Sequence, residues 1–205
     1  MTDTRAFDRR FFERPAVEVA PGLLGAHLTV DLVTLRITEV EAYLGVGEDP
    51  GSHSFRGMTR RNAVMFGEPG HLYTYFTYGM HVCANVVCSP PGTASGVLLR
   101  AGEIVEGRDL ARVRRTTSKS DVDLARGPAR LAVALGITLA DGGADLARGR
   151  FSLELPAAAS AYSSGPRTGV SGDGGGTRFP WRFWITGDPT VSPYKAHAPK
   201  KRATS

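Results

Sequence analysis

The chain has 205 residues, 41% of them hydrophobic and 22% charged, which is typical of one globular domain with a sizeable core. Its 25 Lys and Arg residues outnumber 20 Asp and Glu residues, and the net charge of +5 is compatible with an anionic partner such as nucleic acid without requiring one. Because no apolar run is long enough to span a bilayer and the first residues lack the apolar segment of a signal peptide, we expect a cytoplasmic protein rather than a membrane or secreted one.

The first part of the chain is predicted to contain one or two short helices and then a strand. Apolar residues recur on one helical face within residues 7–28. The segment LRITEVEAYL (35–44) is rich in β-branched residues and roughly alternates apolar with polar types, which predicts a strand. A polar loop that contains glycine follows at 45–62.

An aromatic hairpin is predicted next, followed by helices and further strands. HLYTYFTYGMHVCANVVC (71–88) is rich in aromatic and β-branched residues on both sides of a turn near Tyr78 and Gly79. A third strand is predicted at 95–104, and helices are predicted at 103–115 and 127–137. Two late strands are predicted at 150–155 and 181–188, and a glycine-rich loop separates them.

This order of elements predicts a single α+β domain. Strands precede and follow helices without regular β–α–β alternation, which favours a mostly antiparallel, curved and partly open barrel-like sheet flanked by helices. We expect the domain to span residues 1–192. The basic segment 193–205 is expected to be a disordered tail.

Two carboxylates and a phenol share one face of the strand predicted at 35–44. Strand alternation places Glu39, Glu41 and Tyr43 on one side and the apolar residues between them on the other. The apolar side is the natural core face. The acidic side is then either an ordinary solvated strand face, which is the more common case, or the wall of a cleft.

The aromatic hairpin favours a cleft. Tyr73 and Tyr75 share one face of its first strand, where aromatic side chains most often belong to a core. Tyr78 lies at the predicted tip, which protrudes, and an exposed aromatic side chain on a basic protein can stack on a base or enter a duplex. Asn85 lies within an apolar strand, where its amide needs hydrogen-bond partners or takes part in recognition.

Cations accompany these aromatic residues. The 45–62 loop carries His53, Arg56, Arg60 and Arg61, an arrangement that is usually a solvated patch and only weakly indicates nucleic-acid binding. Arg100 is the one charge in the apolar segment VLLRA, so it either faces solvent or meets a phosphate.

Several motifs in sequence order resemble one enzyme family. They are EVEAYLG, SHS.RG.T.RN..MFG, PGHLYTYFTYGMH.CANVV, GVLLRA, LARGPARLAVALGI and WRFWITGDPTVS, and they cover most of residues 7–192. This pattern is similar to the alkyladenine (3-methyladenine) DNA glycosylase family. The resemblance implies a base-excision enzyme that flips alkylated purines (3-methyladenine, 7-methylguanine) or deaminated ones (hypoxanthine) out of duplex DNA and hydrolyses the N-glycosidic bond.

The same resemblance implies roles for individual residues. It implies that Glu41 is the general base and that Tyr78 is the intercalating residue. The implied base-pocket residues are Tyr43, His53, Tyr75 and Asn85. The implied DNA-backbone contacts are Arg56, Thr59, Arg60 and Arg100. The segment RGMTRRN departs from the family pattern, because Met58 replaces an arginine and Arg60 replaces a proline. Glu39 is expected to be structural.

The chemistry agrees with one catalytic carboxylate. A purine alkylated at N3 or N7 is already cationic and leaves without a general acid, while a carboxylate can accept the proton of water and stabilise an oxocarbenium-like state. The first lysine is Lys119, so no Schiff-base nucleophile lies in the segments that carry the proposed site, and we expect a monofunctional enzyme. No metal or cofactor is expected: the two cysteines, Cys83 and Cys88, are not spaced as ligands.

Damaged double-stranded DNA is the expected partner, with no membrane, no obligate protein partner and a monomeric state. Two other functions remain open. A non-catalytic module could stack modified bases on the same aromatic residues, although an anion at Glu41 would not favour DNA binding. A small-molecule hydrolase with an incidental basic surface would show no salt-dependent affinity for DNA.

Overall fold

The computed structural model describes residues 4–77 and 79–198. Within these residues ten strands form one antiparallel sheet: β1 (Thr4–Arg5), β2 (His27–Val30), β3 (Val33–Tyr43), β4 (Leu72–Thr77), β5 (His81–Cys88), β6 (Ser95–Glu106), β7 (Ala125–Arg126), β8 (Phe151–Pro156), β9 (Tyr162–Gly165) and β10 (Arg182–Ile185). Four α-helices flank it: α1 (Arg9–Phe12), α2 (Ala16–Val19), α3 (Arg108–Arg114) and α4 (Pro128–Leu135). None of these helices is long and apolar enough to cross a bilayer.

The sheet is open, and its main path runs β1-β8-β2-β3-β6-β5-β4. The long strand β3 pairs with β6 on one edge, and on the other edge with β2 and then with β10, which also pairs with β9. Register shifts interrupt the β3–β6 ladder at three places, and such bulges bend strands. The α+β prediction with a mostly antiparallel, open sheet is confirmed.

The core lies between the sheet and the helices on one side. Its apolar residues include Val40 and Ala42 of β3, which lie between the acidic residues, and Leu131 and Leu135 of α4. The opposite side of the same strands is covered as well, by a smaller cluster that includes Met65 and Tyr73. Glu39 and Glu41 are wholly buried, so the solvated strand face that sequence alone favours does not exist.

The element boundaries differ from the predicted ones in three places. The helical segment predicted at residues 7–28 ends earlier in the structure, where β2 already begins at His27. Strand β6 continues to Glu106, and α3 starts only after Gly107, which turns the chain at φ +70°. Strand β9 lies in the glycine-rich segment that was predicted to be loop.

Candidate active site

A cavity of about 630 Å³ opens on the side of the sheet opposite the core, within the ~300–1,000 Å³ usual for ligand pockets. Its walls come from β3, the β4–β5 hairpin, β6 and the loops around residues 50–53 and 168–171. Six of the ten residues named from the sequence line it: Glu41, Tyr43, His53, Tyr75, Asn85 and Arg100.

The floor of this cavity follows from strand register. Glu41 of β3 pairs with Leu98 of β6, Leu98 pairs with Asn85 of β5, and Asn85 pairs with Tyr73 of β4. Residues directly opposite each other in antiparallel strands project to the same side, so this row of four side chains faces the cavity together. Tyr75 lies two residues beyond Tyr73 and therefore projects to the same side.

Glu41 is held by donors on both carboxylate oxygens. The backbone N–H of Thr168 donates to Oε1 at 2.6 Å, and the phenol of Tyr43 donates to Oε2 at 2.8 Å. Arg100 Nη1 lies 3.2 Å from Oε2. Burial and the charge of Glu41 raise the pKa of Tyr43 well above its ordinary value, so the phenol keeps its proton and remains a donor. The carboxylate is thus fixed in one orientation.

Glu39 contributes to this arrangement without lining the cavity. Its Oε1 accepts from Arg100 Nε at 2.9 Å and from Arg182 Nε at 2.6 Å, and its Oε2 accepts from the backbone N–H of Ser192 at 2.7 Å. Burial raises the pKa of Glu39, but the two guanidinium groups lower it by more, so the pKa lies below its ordinary value. Glu39 therefore acts as the counterion of two buried arginines.

Arg100 is placed by a bulge. Val40 pairs with Leu99 and Glu39 pairs with Ala101, so Arg100 is the extra residue of β6 at this point. Bulges near functional sites often re-aim a side chain. Burial lowers the pKa of Arg100, but the negative charges of Glu41 and Glu39 raise it by more, so the pKa lies above its ordinary value. The side chain is almost wholly buried in the cavity wall; its contact with the DNA backbone stays a prediction.

Three aromatic rings form one wall. The rings of His53 and Tyr75 meet edge to face with centroids 4.5 Å apart, and Tyr73 stacks on Tyr75 with centroids 5.8 Å apart. Partial burial and the positive charge of Arg61 lower the pKa of His53, which favours the neutral imidazole at pH 7. Asn85 is oriented by its Nδ2, which donates to the backbone carbonyl of Tyr73 at 3.2 Å.

Comparisons with known proteins show the family of this chain. Residues 10–189 match the family model described as methylpurine-DNA glycosylase (MPG). The chain belongs to this family. A protein of Leifsonia xyli subsp. xyli is 63% identical over 92% of both chains, and one of Streptomyces avermitilis is 54% identical over 98% of both; each is named "Putative 3-methyladenine DNA glycosylase". The suspected family is confirmed, and its activity class, DNA repair glycosylase, is the class of this chain.

Three other residues named from the sequence, Arg56, Thr59 and Arg60, do not line the cavity of this glycosylase. Arg56, Thr59 and Arg60 are exposed on the loop that also carries His53. The backbone N–H and the hydroxyl of Thr59 both donate to Asn62 Oδ1, at 2.6 and 2.9 Å, so the threonine helps to shape this loop. Tyr78 lies outside the described residues. The DNA contacts expected of these four residues stay predictions.

Sequence reasoning missed Asp49, Arg167 and Thr168, which complete the site. Arg167 is wholly buried beside Asp49, although it belongs to a glycine-rich loop. Such a loop has no periodicity from which burial can be inferred, and only the tertiary fold brings it to β3. The only local indication of a functional site in this loop is the arginine next to a threonine in PRTG (166–169), and this indication is weak.

A lysine lies closer to the cavity than the sequence suggested. Lys195 lines it together with Ala196, His197 and Ala198, and the carbonyl of Lys195 accepts from the backbone N–H of Gly169 at 2.9 Å. The sequence excludes a Schiff-base lysine only from the strand-and-loop segments that precede Lys119, and Lys195 lies outside those segments. Among residues 4–77 and 79–198, no group of three or more His, Cys, Asp or Glu side chains is arranged to hold a metal ion.

Proposed function

We propose that this glycosylase flips 3-methyladenine, 7-methylguanine and hypoxanthine out of duplex DNA into the cavity and hydrolyses the N-glycosidic bond, leaving an abasic site. The observation that carries the proposal is the position of Glu41: a wholly buried carboxylate at the floor of an aromatic-walled cavity of about 630 Å³. The enzyme acts in the cytoplasm as a monofunctional monomer without a cofactor.

Glu41 is the general base of this reaction. It accepts a proton from a water molecule as the water oxygen bonds to C1′ of the deoxyribose, and the electrons of the N-glycosidic bond leave with the base. An alkylated purine carries a positive charge and leaves as a neutral base, so no acid is required. Hypoxanthine is neutral, so it leaves as an anion that takes up a proton from solvent water. The same carboxylate stabilises the oxocarbenium-like sugar that forms as the bond breaks.

The aromatic wall supports the preference for alkylated bases. Cations are attracted to the faces of electron-rich rings by about 0.5–2 kcal/mol, and Tyr43 and Tyr75 both line the cavity. His53 is the third wall, and its neutral form does not repel a cationic base. Asn85 faces the same space, where the family resemblance implies that it opposes the exocyclic amine of normal guanine.

The surface next to the cavity supports binding of duplex DNA. Arg56 and Arg60 are exposed on the loop that carries His53, where they can meet phosphates on either side of a flipped nucleotide. Flipping costs a few kcal/mol and costs least at damaged or mispaired bases, which adds to selectivity. Tyr78 is proposed to fill the gap that the flipped nucleotide leaves.

Single-turnover excision tests this function. A labelled duplex with one 7-methylguanine or one hypoxanthine is incubated with excess wild-type enzyme or Glu41→Gln, and base release is measured. We expect release by the wild type and a loss of about 10²–10⁴-fold in the variant, the usual contribution of a general base. Binding to an abasic duplex should be retained.

Glu154→Gln is the matched control, because Glu154 lies on β8, is exposed and does not line the cavity. It should release base at the wild-type rate. If the wild type binds both lesions tightly and releases neither base, the chain is a binding module for modified bases and the catalytic proposal is wrong.

A further inference from the structure

A buried ion pair lies behind the cavity, outside the residues that the proposed reaction uses. Arg167 and Asp49 have wholly buried side chains, and their two contacts are bidentate: Nη1 to Oδ2 at 2.6 Å and Nη2 to Oδ1 at 2.7 Å. Removing two charges from water is expensive, and replacing such a pair with apolar residues is often neutral or stabilising. A pair of this kind is therefore poorly explained by stability alone.

The pair joins three segments of the chain that surround the cavity. Arg167 also donates to the carbonyl of Ala42 at 3.0 Å and to the carbonyl of Gly174 at 2.6 Å. Asp49 also accepts from the backbone N–H groups of Leu44, at 3.1 Å, and Gly51, at 2.9 Å. The end of β3, the loop before His53 and the glycine-rich loop are thus fixed to one another.

Packing around the guanidinium is equally tight. The ring of Tyr43 lies 4.4 Å from Arg167 Cζ, and the ring of Trp181 lies 5.4 Å from it. A Cβ atom added to Gly51 would lie 2.6 Å from Arg167 Nη2, and one added to Gly174 would lie 2.4 Å from the backbone nitrogen of Gly51. The loops close on the pair so tightly that only glycine fits at these two positions.

The two groups that donate hydrogen bonds to Glu41, the Thr168 N–H and the Tyr43 phenol, both adjoin this pair. Thr168, whose N–H donates to Glu41 Oε1, directly follows Arg167 in the chain. Tyr43, whose phenol donates to Glu41 Oε2, packs its ring on the guanidinium. Ala42, which accepts from Arg167, is the next residue after Glu41. The pair itself does not line the cavity.

We propose that Arg167 and Asp49 are positioning residues, which keep the Thr168 N–H and the Tyr43 phenol on Glu41 so that its carboxylate faces the attacking water. This inference rests on the proposed function. The pair is wholly buried and does not line the cavity, so its loss should slow the chemical step and leave binding nearly unchanged. A misplacement of about 1 Å in a catalytic group can cost ~100-fold in rate.

Arg167→Lys tests the proposal, because lysine keeps the charge and cannot make the bidentate contact. Single-turnover release of 7-methylguanine and the Kd for an abasic duplex are measured at pH 7. We expect release to fall ~100-fold with the Kd within about 3-fold of wild type.

Arg9→Lys is the matched control. Arg9 Nη2 donates to both carboxylate oxygens of Asp145 at 2.8 Å, and this ion pair does not line the cavity. Arg9→Lys should change neither the rate of release nor the Kd. If Arg167→Lys is unfolded, Asp49→Asn is measured in the same way. Rates within 3-fold of wild type, equal losses of rate and affinity, or unfolding of both variants would overturn the proposal. Absence of release by the wild type would instead overturn the proposed function.

Discussion

Arg100 and Glu39 face each other across a bulge in the β3–β6 ladder, with Nε 2.9 Å from Oε1. Nη1 of the same guanidinium lies 3.2 Å from Oε2 of Glu41, so one cation serves both acids. Glu39 also holds Arg182, at 2.6 Å. The two carboxylates that look equivalent in the sequence therefore differ in function: Glu41 lines the cavity, and Glu39 stabilises the cations beside it.

Glu39→Gln should destabilise the fold strongly. The substitution leaves Arg100 and Arg182 buried with too little negative charge, and breaking a buried ion pair typically costs about 3–5 kcal/mol. Urea unfolding at pH 7 measures the loss in the free energy of unfolding. Glu154→Gln, at an exposed position of β8, should stay within about 0.5 kcal/mol of wild type. If Glu39→Gln also stays this close to wild type in the free energy of unfolding, the carboxylate of Glu39 does not stabilise the two buried arginines.

The stability that Glu39 contributes should depend on pH. Its pKa is lowered in the folded state, so the contribution is fully present above the unfolded value of about 4.3 and is lost as the pH falls through the lower folded value. The difference in unfolding free energy between wild type and Glu39→Gln should therefore be constant from pH 7 to 5 and shrink below about pH 4. A difference that grows on acidification would contradict the ion-pair account.

The fold could be predicted where local pattern determines structure. Residues 35–44 alternate and are β-branched, and they form β3 because such side chains suit a pleated surface packed on both sides. The placement of Glu39 and Glu41 on one side also follows from alternation, and Arg100 contacts both. What alternation cannot give is burial, because the segment that pairs with Glu39 and Glu41, β10, comes about 140 residues later.

The candidate site could be predicted only in part for the same reason. Motifs on β3 and the hairpin locate Glu41, Tyr43 and Tyr75, which are close in sequence to recognisable strands. Arg167 lies in a glycine-rich loop and is buried by contacts with Asp49, 118 positions away. Neither residue has a neighbour in sequence that would indicate a buried charge, so their pairing is visible only in the folded chain.

Tyr43→Phe should slow base excision without changing the fold. The phenol donates to Oε2 of Glu41 at 2.8 Å, and a hydrogen bond to a charged group is worth about 1.5–3 kcal/mol, or roughly 10- to 100-fold in rate. The ring remains, so packing on Arg167 is preserved. Single-turnover release of hypoxanthine measures the loss. Tyr162→Phe, on β9 and outside the cavity lining, is the control and should keep the wild-type rate.

Because the pKa of Tyr43 is raised well above 10, its phenol should remain a donor throughout the alkaline range in which most enzymes are stable. The ratio of wild-type to Tyr43→Phe rates should therefore stay constant from pH 7 to about pH 9.5. A ratio that falls within this range would mean that the phenol loses its proton earlier than its burial beside Glu41 indicates.

Lys195 should not form a covalent bond with the abasic product. A bifunctional enzyme would form a Schiff base between an amine and C1′, which borohydride traps as a stable protein–DNA adduct. Wild type and Lys195→Ala should both excise 7-methylguanine, leave the DNA strand intact and give no trapped adduct, beside a bifunctional glycosylase as positive control. An adduct that is present in wild type and absent in Lys195→Ala would show lyase activity.

Arg60 should contribute to DNA binding through phosphate rather than through base recognition. It is exposed on the loop that carries His53, and Arg60→Gln should weaken binding to damaged and undamaged duplexes by similar factors. The slope of log K against log salt should become shallower by about one, because one fewer counterion is released. Arg148→Gln is the control, since its side chain is 83% exposed and lies outside the cavity lining. An unchanged slope in Arg60→Gln would show that this arginine does not contact phosphate.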